Sequence, residues 1–260
     1  MKKTFMLLMA MVMVVMMAAG CGGGEKKKAE APKVLRVGTE PTFAPFEFQK
    51  DGSKEFDGFD MDLIRAIGKQ LNMKVEILNM GFDALIPAIN AGNIDVSIAG
   101  FSITEERKKQ VIFSQPYYKS GLAFVVRKNV NDVQKFDDLK GKTIAVQLGT
   151  TGALYAEKLK AKGAVVKTFN TSDLACMELK NNGADAVISD LPVLQYFLKN
   201  GGSEYAKLAG EPLTAEDYGI VISKKKPELA KEVDKALDAL KKNGTYDKLY
   251  EKWFGSKSAK

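Results

Sequence analysis

The stretch GFSITEER contains residue types that can bind a carboxylate. Arg107 carries a planar, forked cation that fits a carboxylate at two points. Thr104 can cap a helical turn, and backbone N–H groups and the Ser102 hydroxyl lie just before that turn. The stretch therefore predicts a receptor for the α-carboxylate of a ligand. Its spacing equally allows Arg107 to form a surface ion pair with Glu105 or Glu106.

Other candidates directly follow predicted strands, where ligands bind in open α/β sheets. Thr150 and Thr151, in LGTTG, come after a strand and open a helix, which favours an anion; a simple turn is the alternative. LGTTG lacks the Lys and the glycine spacing of a nucleotide P-loop, which argues against ATP. Glu40 and Asp190 offer negative charge to an ammonium or guanidinium group, although Asp190 also fits a helix cap.

Aromatic residues and the composition narrow the chemistry further. Phe43 and Phe82 can flank a ligand side chain, with a cation–π gain of roughly 0.5 to 2 kcal/mol for a cationic one. Either ring can equally belong to the core. The sequence has no His, so a hydrolase triad built on His and a typical zinc site are excluded. Cys176, in the apolar stretch DLACMEL, is predicted to be a buried structural thiol.

The first residues follow the pattern of a secretory signal. Two Lys precede an apolar run that is short for a membrane span, and small residues stand directly before Cys21. The pattern predicts a lipoprotein signal peptide over 1–20, acylation of Cys21 and a flexible tether over 21–32. Ala18 stands where such a site usually has Leu, and an ordinary cleaved signal with an incidental Cys is the alternative.

Charge and patterning define the elements that must position these residues. The net charge of +7 falls to +5 when the two Lys of the signal are removed, and acids are interleaved throughout, so nothing indicates a nucleic-acid partner.

From residue 33 onward, β-rich runs alternate with helical patterns, which predicts an α/β fold with largely parallel sheets. Strands are predicted at 34–39, 75–78, 94–99, 143–147, 165–169, 186–189 and 218–223. Helices are predicted from a cap at Asp60, at 83–91, from LGTTG to Lys162, at 173–180, at 227–242 and up to Phe254.

Two segments echo each other and suggest two similarly built lobes. AINAGNIDVSIAG and ELKNNGADAVISD both run from a helix end through Asn, Gly and Asp into a strand; a chance similarity of αβ units is the alternative. The C-terminal strand and helices have no partners of their own, so we expect them to return to the first lobe. The stretches 117–125 and 214–218 are then predicted to cross between the lobes as a hinge of two strands.

These motifs together resemble a known family. GTEPTFAPFEF, GFDMDL, ALIPAINAGNIDVSIAGFSITEERKKQVIFSQPYY, DLKGKTIAVQLGTTG, ADAVISD and GTYDKLYEKWFG are similar, in order, to the polar amino-acid-binding proteins of bacterial ABC importers. The resemblance implies a two-lobed periplasmic-binding-protein-like fold of type II. Lobe 1 would comprise 34–120 plus 216–260, and lobe 2 would comprise 121–215.

The resemblance also implies a role for each candidate residue. The groups expected to hold the ligand carboxylate are Arg107, Ser102, the Gly100 backbone, Thr150 and Thr151. Asp190, with Gly100 and Ser102, is expected to receive the α-ammonium.

The side-chain end of the implied site points to a cationic ligand. Phe43 and Phe82 should flank the ligand side chain, and Glu40 and Gln147 should meet its distal end. Glutamine binders have Asp, Lys and His where this chain has Glu40, Gln147 and Ser189. A Lys there would repel a cation, whereas Glu40 with Gln147 is similar to the pairing in arginine binders. Arginine, or basic amino acids generally, is therefore favoured over glutamine.

The expected function is capture of an L-amino acid and its delivery to an importer, without catalysis, cofactor or metal. We expect a monomeric, lipid-anchored protein outside the cytoplasm, with an importer permease as its partner. One alternative is a periplasmic dehydratase of the same fold, in which Glu40 transfers protons. Another is a sensory module that presents the solute to a receptor.

Overall fold

The computed structural model describes residues 33–50 and 52–256. The predicted signal peptide, Cys21 and the tether lie outside these residues. Within them, no helix has the length and apolar composition needed to span a bilayer.

Strands and short helices alternate along the described chain. The strands are β1 (Val34–Thr39), β2 (Thr42–Phe43), β3 (Glu47–Gln49), β4 (Phe56–Asp57), β5 (Lys74–Asn79), β6 (Val96–Ser97), β7 (Ile112–Phe113), β8 (Tyr118–Ser120), β9 (Leu122–Arg127), β10 (Thr143–Gln147), β11 (Val165–Phe169), β12 (Ala186–Asp190), β13 (Ala206–Ala209), β14 (Glu216–Tyr218) and β15 (Val221–Ile222). The helices are α1 (Phe59–Gln70), α2 (Phe82–Ala91), α3 (Glu105–Lys108), α4 (Thr151–Glu157), α5 (Ser172–Lys180), α6 (Leu191–Lys199), α7 (Pro227–Lys242) and α8 (Thr245–Phe254). Short 3-10 helices cover Phe136–Leu139, Lys160–Lys162 and Gly202–Glu204.

The first sheet has five strands in the order β5–β1–β6–β15–β7. β1 runs parallel to β5 and β6, whereas β15 pairs antiparallel with β6 and β7. On one face, α1 buries Leu63, Ile64 and Ile67 in a core shared with α7 and α8. On the other face, α2 packs Leu85 and Ile89 against the sheet. The C-terminal elements thus complete the first sheet.

The second sheet has the order β11–β10–β12–β9–β13. β10 runs parallel to β11 and β12, and β9 pairs antiparallel with β12 and β13. Ala156 of α4 lies in the core on one face, and Cys176 of α5 and Leu194 of α6 lie in the core on the other. The sheets therefore share one plan, as the repeated segments predicted. Cys176 is buried, as expected, and burial raises the pKa of its thiol to about 12.

A two-stranded ribbon connects the two sheets. β8 pairs antiparallel with β14, with Tyr118 opposite Tyr218 and Ser120 opposite Glu216. These strands lie within the two stretches predicted to cross. The single strand predicted at 218–223 is wrong, because β14 belongs to the ribbon and β15 to the first sheet. Gly219 separates them, and a Cβ there would lie 2.9 Å from Ile103 Cδ1.

The start of α1 differs from the prediction. Asp60 does not cap this helix: the N-cap is Gly58, and Asp60 is a fully buried residue of the first turn. Gly58 has φ 126°, and a Cβ there would lie 2.1 Å from the Phe46 carbonyl oxygen. The close approach to the β2–β3 hairpin, which the sequence did not predict, therefore requires glycine. The helix predicted to reach Lys162 ends at Glu157.

Candidate functional site

A cavity of about 300 Å³ lies at the carboxyl ends of strands from both sheets. Its lining residues are Glu40, Phe43, Glu47, Phe82, Ala99, Gly100, Ser102, Arg107, Gln147, Thr150, Thr151 and Asp190. The ten residues predicted for a ligand site all lie in this set. Glu47 and Ala99 are the two that the sequence did not predict.

Arg107 faces the cavity and is not part of a surface ion pair. Its Nη1 donates to the Ser102 carbonyl oxygen at 2.9 Å, and its Nη2 donates to the Gly149 carbonyl oxygen at 3.0 Å. Glu105 pairs with Lys108 and Glu106 with Lys109, each at 2.7 Å.

Local structure holds Arg107 in this place. Thr104 caps α3 as predicted, accepting a hydrogen bond from the Arg107 N–H at 3.2 Å. The guanidinium carbon lies 5.5 Å from the ring centroid of Phe82 and 5.1 Å from that of Phe101. These two rings stack with centroids 4.4 Å apart. The guanidinium is thus supported from one side by aromatic faces.

The two threonines of LGTTG have their hydroxyls engaged by the protein. Thr150 Oγ1 donates to the Gln147 carbonyl oxygen at 2.8 Å and accepts from the Ala153 N–H at 3.1 Å. Thr151 Oγ1 donates to Glu216 Oε2 at 2.9 Å. Both residues can therefore offer an anion their backbone N–H groups but not their hydroxyl protons. Glu216, on the ribbon, was not singled out from the sequence.

Gly100 is held from outside the cavity. Its N–H donates to Asp60 Oδ2 at 3.0 Å, so Gly100 can offer a ligand only its carbonyl oxygen. Its φ is 56°, and a Cβ there would lie 2.7 Å from Phe43 Cε1. Both the turn and the contact with Phe43 require glycine here. The N–H part of the Gly100 backbone is consequently not available to a ligand carboxylate.

Glu40 and Gln147 meet across the cavity, one from each sheet. Glu40 is 4% exposed, and its Oε2 accepts from Gln147 Nε2 at 2.9 Å and from Thr42 Oγ1 at 2.8 Å. In the described part of the chain, no hydrogen bond reaches Glu40 Oε1. Burial raises the pKa of Glu40, while the hydrogen bonds from Thr42 and Gln147 lower it. Glu40 thus keeps one carboxyl oxygen for a ligand.

Asp190 ends β12 and is 5% exposed. It stands at the N-cap of α6, but its side chain forms no capping hydrogen bond. Instead, the Ser120 hydroxyl on the ribbon lies 3.2 Å from Asp190 Oδ1. Burial raises the pKa of Asp190 to about 7, and the charge of Glu216 adds to the rise. An ammonium group bound beside Asp190 would stabilise the ionised form of this buried carboxyl group.

Phe43 and Phe82 are buried and also line the cavity, so the two interpretations of these rings do not exclude each other.

Glu47 lies at the start of β3, 1% exposed, with its Oε2 lacking any hydrogen-bond partner. The available signal for Glu47 was an acid between two Phe in PFEF, inside an otherwise apolar run. Among the described residues, no group of three or more His, Cys, Asp or Glu is arranged to hold a metal ion.

The sequence profile of the bacterial extracellular solute-binding proteins, family 3, matches residues 35–256. The chain belongs to this family. Because the members of this family are extracellular solute-binding proteins, the chain is located outside the cytoplasm.

Relatives of this family 3 protein cover nearly all of its described residues. It is 37% identical over 224 residues to an arginine-binding periplasmic protein of Mannheimia haemolytica, spanning 84% of this chain and 90% of that one. An ancestral arginine-binding protein, solved with arginine and with glutamine, is 47% identical, with a TM-score of 0.83 over 87% of this chain and 100% of that one. The ancestral amino acid-binding protein AncCDT-1, a precursor of cyclohexadienyl dehydratase, is 39% identical, with a TM-score of 0.79 over 85% of this chain and 95% of that one. The predicted type II two-lobed fold is confirmed by these similarities.

Proposed function

We propose that this solute-binding protein captures a basic L-amino acid, with arginine favoured, and delivers it to an ABC importer. The observation that carries the proposal is the excess of carboxyl groups around the cavity. Arg107 is the one cation among the lining residues, all of them described, against Glu40 and Asp190, so carboxyl groups are in excess even when Glu47 is protonated. A neutral amino acid leaves that excess uncompensated, whereas arginine adds one positive charge. Because buried unpaired carboxylates are costly, the cavity favours a cationic ligand.

The proposed arrangement gives each end of arginine a partner. The α-carboxylate meets the Arg107 guanidinium and the backbone N–H groups of Thr150 and Thr151. The α-ammonium meets Asp190 and the Gly100 carbonyl oxygen. The guanidinium meets Glu40 Oε1, the oxygen without a protein partner. The relatives named for arginine support this arrangement.

The remaining ligand-site residues shape the proposed pocket. Phe43 and Phe82 flank the ligand side chain, Ser102 supports both backbone groups, and Gln147 orients Glu40 from the opposite sheet. We further propose that the lobes are 34–120 plus 216–260 and 121–215. The ligand then favours the closed arrangement because it contacts both lobes.

Calorimetry with Glu40→Gln tests the ligand class. The substitution keeps the shape and removes the charge, so we expect arginine to bind roughly 10- to 100-fold more weakly and glutamine to change by less than about threefold. Glu76→Gln, an exposed position on β5, is the matched control and should leave both affinities unchanged. Undiminished binding of arginine to Glu40→Gln would refute the assignment, and a wild-type preference for glutamine would establish the alternative ligand.

A dehydratase remains a second candidate because burial raises the pKa of Glu40, as acid–base catalysis requires. The similarity to a precursor of a dehydratase also bears on it, although that precursor is itself named an amino acid-binding protein. Incubation with prephenate decides between the two: we expect no turnover. Loss of water and carbon dioxide from prephenate, without tight amino-acid binding, would reverse the conclusion.

The anchor at Cys21 is a separate proposal, supported by the sequence pattern alone. We expect wild-type protein to incorporate labelled palmitate and to fractionate with membranes, and Cys21→Ser to do neither. Labelled Cys21→Ser protein would show that the lipid is attached elsewhere.

A further inference from the structure

Two buried carboxyl groups lie together at the cavity wall, Glu47 in the lining and Asp60 behind it. They come from different elements, β3 and the first turn of α1, and are 1% and 0% exposed. Within residues 33–50 and 52–256, neither forms an ion pair with Lys or Arg. Two ionised carboxylates side by side in such a place repel each other and lack solvation.

Both hydrogen bonds to the Asp60 carboxyl group reach the same oxygen. Oδ2 accepts from the Gly100 N–H at 3.0 Å and from the Tyr117 hydroxyl at 2.7 Å. Oδ1 is buried and has no donor, and the same is true of Glu47 Oε2. A single proton between the two carboxyl groups supplies the missing donor. It also removes the repulsion, since one member becomes neutral.

The charges around the pair favour this protonation. Burial raises the pKa of Glu47 well above its ordinary value, and the carboxylates of Asp60, Glu40 and Asp190 raise it further. Burial also raises the pKa of Asp60 to about 6, against the hydrogen bonds from Gly100 and Tyr117. The neutral member is therefore Glu47, and Asp60 remains the acceptor.

Asp60 connects the cavity wall to the hinge. Gly100 lies on the wall, and its peptide group is planar, so a fixed N–H fixes the whole group between Ala99 and Gly100. Tyr117 directly precedes β8 of the ribbon, and its N–H donates to the Tyr218 carbonyl oxygen at 2.9 Å. The same carboxylate thus holds the peptide group directly before the proposed ammonium subsite and the start of the crossing strand.

We propose that Glu47 and Asp60 form a buried carboxyl pair that shares one proton and holds the Gly100 segment in its ligand-binding geometry. Both are positioning residues, since they act on the ligand through Gly100. The functional part of this inference rests on the proposed amino-acid binding. When the pair loses its proton at high pH, repulsion displaces Asp60, and affinity for the amino acid falls.

Carbon-13 NMR of the ligand-free full chain, labelled at the Glu and Asp carboxyl carbons, tests the shared proton without any ligand. We expect one Glu carboxyl to titrate well above the ordinary range, about pH 4.3, and to be missing from Glu47→Gln. Glu76→Gln, the exposed control, should keep it. Titration of every Glu carboxyl near the ordinary range would overturn the shared proton.

Calorimetry with arginine tests the positioning role. As the pH rises above neutrality, we expect the wild-type affinity to fall about tenfold more than that of Glu47→Gln, which cannot lose the proton. Comparison at the same pH cancels the ionisation of arginine itself. Asp60→Asn should weaken binding about tenfold at pH 7, because a neutral amide oxygen accepts the hydrogen bonds from Gly100 and Tyr117 more weakly than a carboxylate does.

Identical pH profiles for wild-type protein and Glu47→Gln would overturn the positioning role. This comparison decides even if Asp60→Asn fails to fold, because Glu47→Gln preserves the volume and a donor. If the wild-type chain binds no amino acid, the proposed function is wrong, and the positioning role, which depends on it, is wrong as well. The carbon titration then decides on the shared proton alone.

Discussion

At Asp190, burial determines how strongly protons compete with a ligand. Burial raises the pKa of this carboxyl to about 7, and an ammonium group binds only its ionised form. Protons therefore displace the ligand as the pH falls below that value. Burial also raises the pKa of Glu40, so protons likewise compete with the cationic end of the ligand for this carboxylate.

We predict that affinity for arginine falls on the acid side, by up to about tenfold per pH unit as Asp190 takes up a proton, between about pH 7 and pH 5.5. Calorimetry in matched buffers measures this decrease. Glu40→Gln should retain an acid decrease, since Asp190 remains. A constant affinity across this range would contradict the role of Asp190. The decrease is separate from the one predicted for the Glu47–Asp60 pair, which lies at high pH.

At the scale of elements, a charged cluster joins the first sheet to the C-terminal segment. Asp95 directly precedes β6, and Arg36 of β1 donates to it from Nη2 at 2.9 Å and from its backbone N–H at 2.9 Å. Lys226, at the N-cap of α7, also contacts Asp95. Burial by itself raises the pKa of Asp95, but the hydrogen bonds from Arg36 and Lys226 outweigh it and hold the pKa below its ordinary range.

We predict that Asp95→Asn lowers the free energy of unfolding by about 1.5–3 kcal/mol at neutral pH. Because the folded-state pKa is lowered, this stabilisation is present above the ordinary Asp pKa, about 3.9, and is lost as the pH falls through the lowered value. Urea denaturation at several pH values measures it. Asp132→Asn, which removes an exposed pair with Lys142, should cost less than about 1 kcal/mol. Equal losses for the two variants would contradict the argument.

At the scale of the whole molecule, direct contacts join the two sheets across the cavity. Gln147 reaches Glu40, Arg107 reaches the Gly149 carbonyl, and the Ser172 N–H donates to Thr42 Oγ1 at 3.3 Å. In each contact, one partner lies among the elements around the first sheet and the other among those around the second. A ligand that contacts both lobes strengthens the same closed arrangement.

We predict that saturating arginine lowers the radius of gyration, measured by small-angle X-ray scattering. At a hundredfold excess over Kd, it should also raise stability by about 2.7 kcal/mol, or roughly 5–10 °C in Tm. Arg107→Ala at the same arginine concentration should show neither change. A rise in Tm without compaction would mean that the lobes are already closed before arginine binds.

The sequence by itself determined the α/β class and nine of the ten predicted cavity residues, and the family resemblance added Gln147. It did so because parallel strands bring their carboxyl ends to one edge, so Thr150 after β10 and Asp190 at the end of β12 had to meet there. The polar types at those positions then indicated the chemistry. Family resemblance added the roles, which remain proposals.

Only the tertiary structure decided which groups those residues contact. Asp60 reads locally as a helix cap, yet it holds Gly100, 40 residues away, and Glu40 meets Gln147, 107 residues away. Such pairings depend on how separate elements pack, and no local period or turn pattern encodes them. For the same reason, the sequence shows Glu47 only as an acid between two phenylalanines. The fold buries it beside Asp60, and the low solvation of the interior then disfavours ionisation of both carboxyl groups.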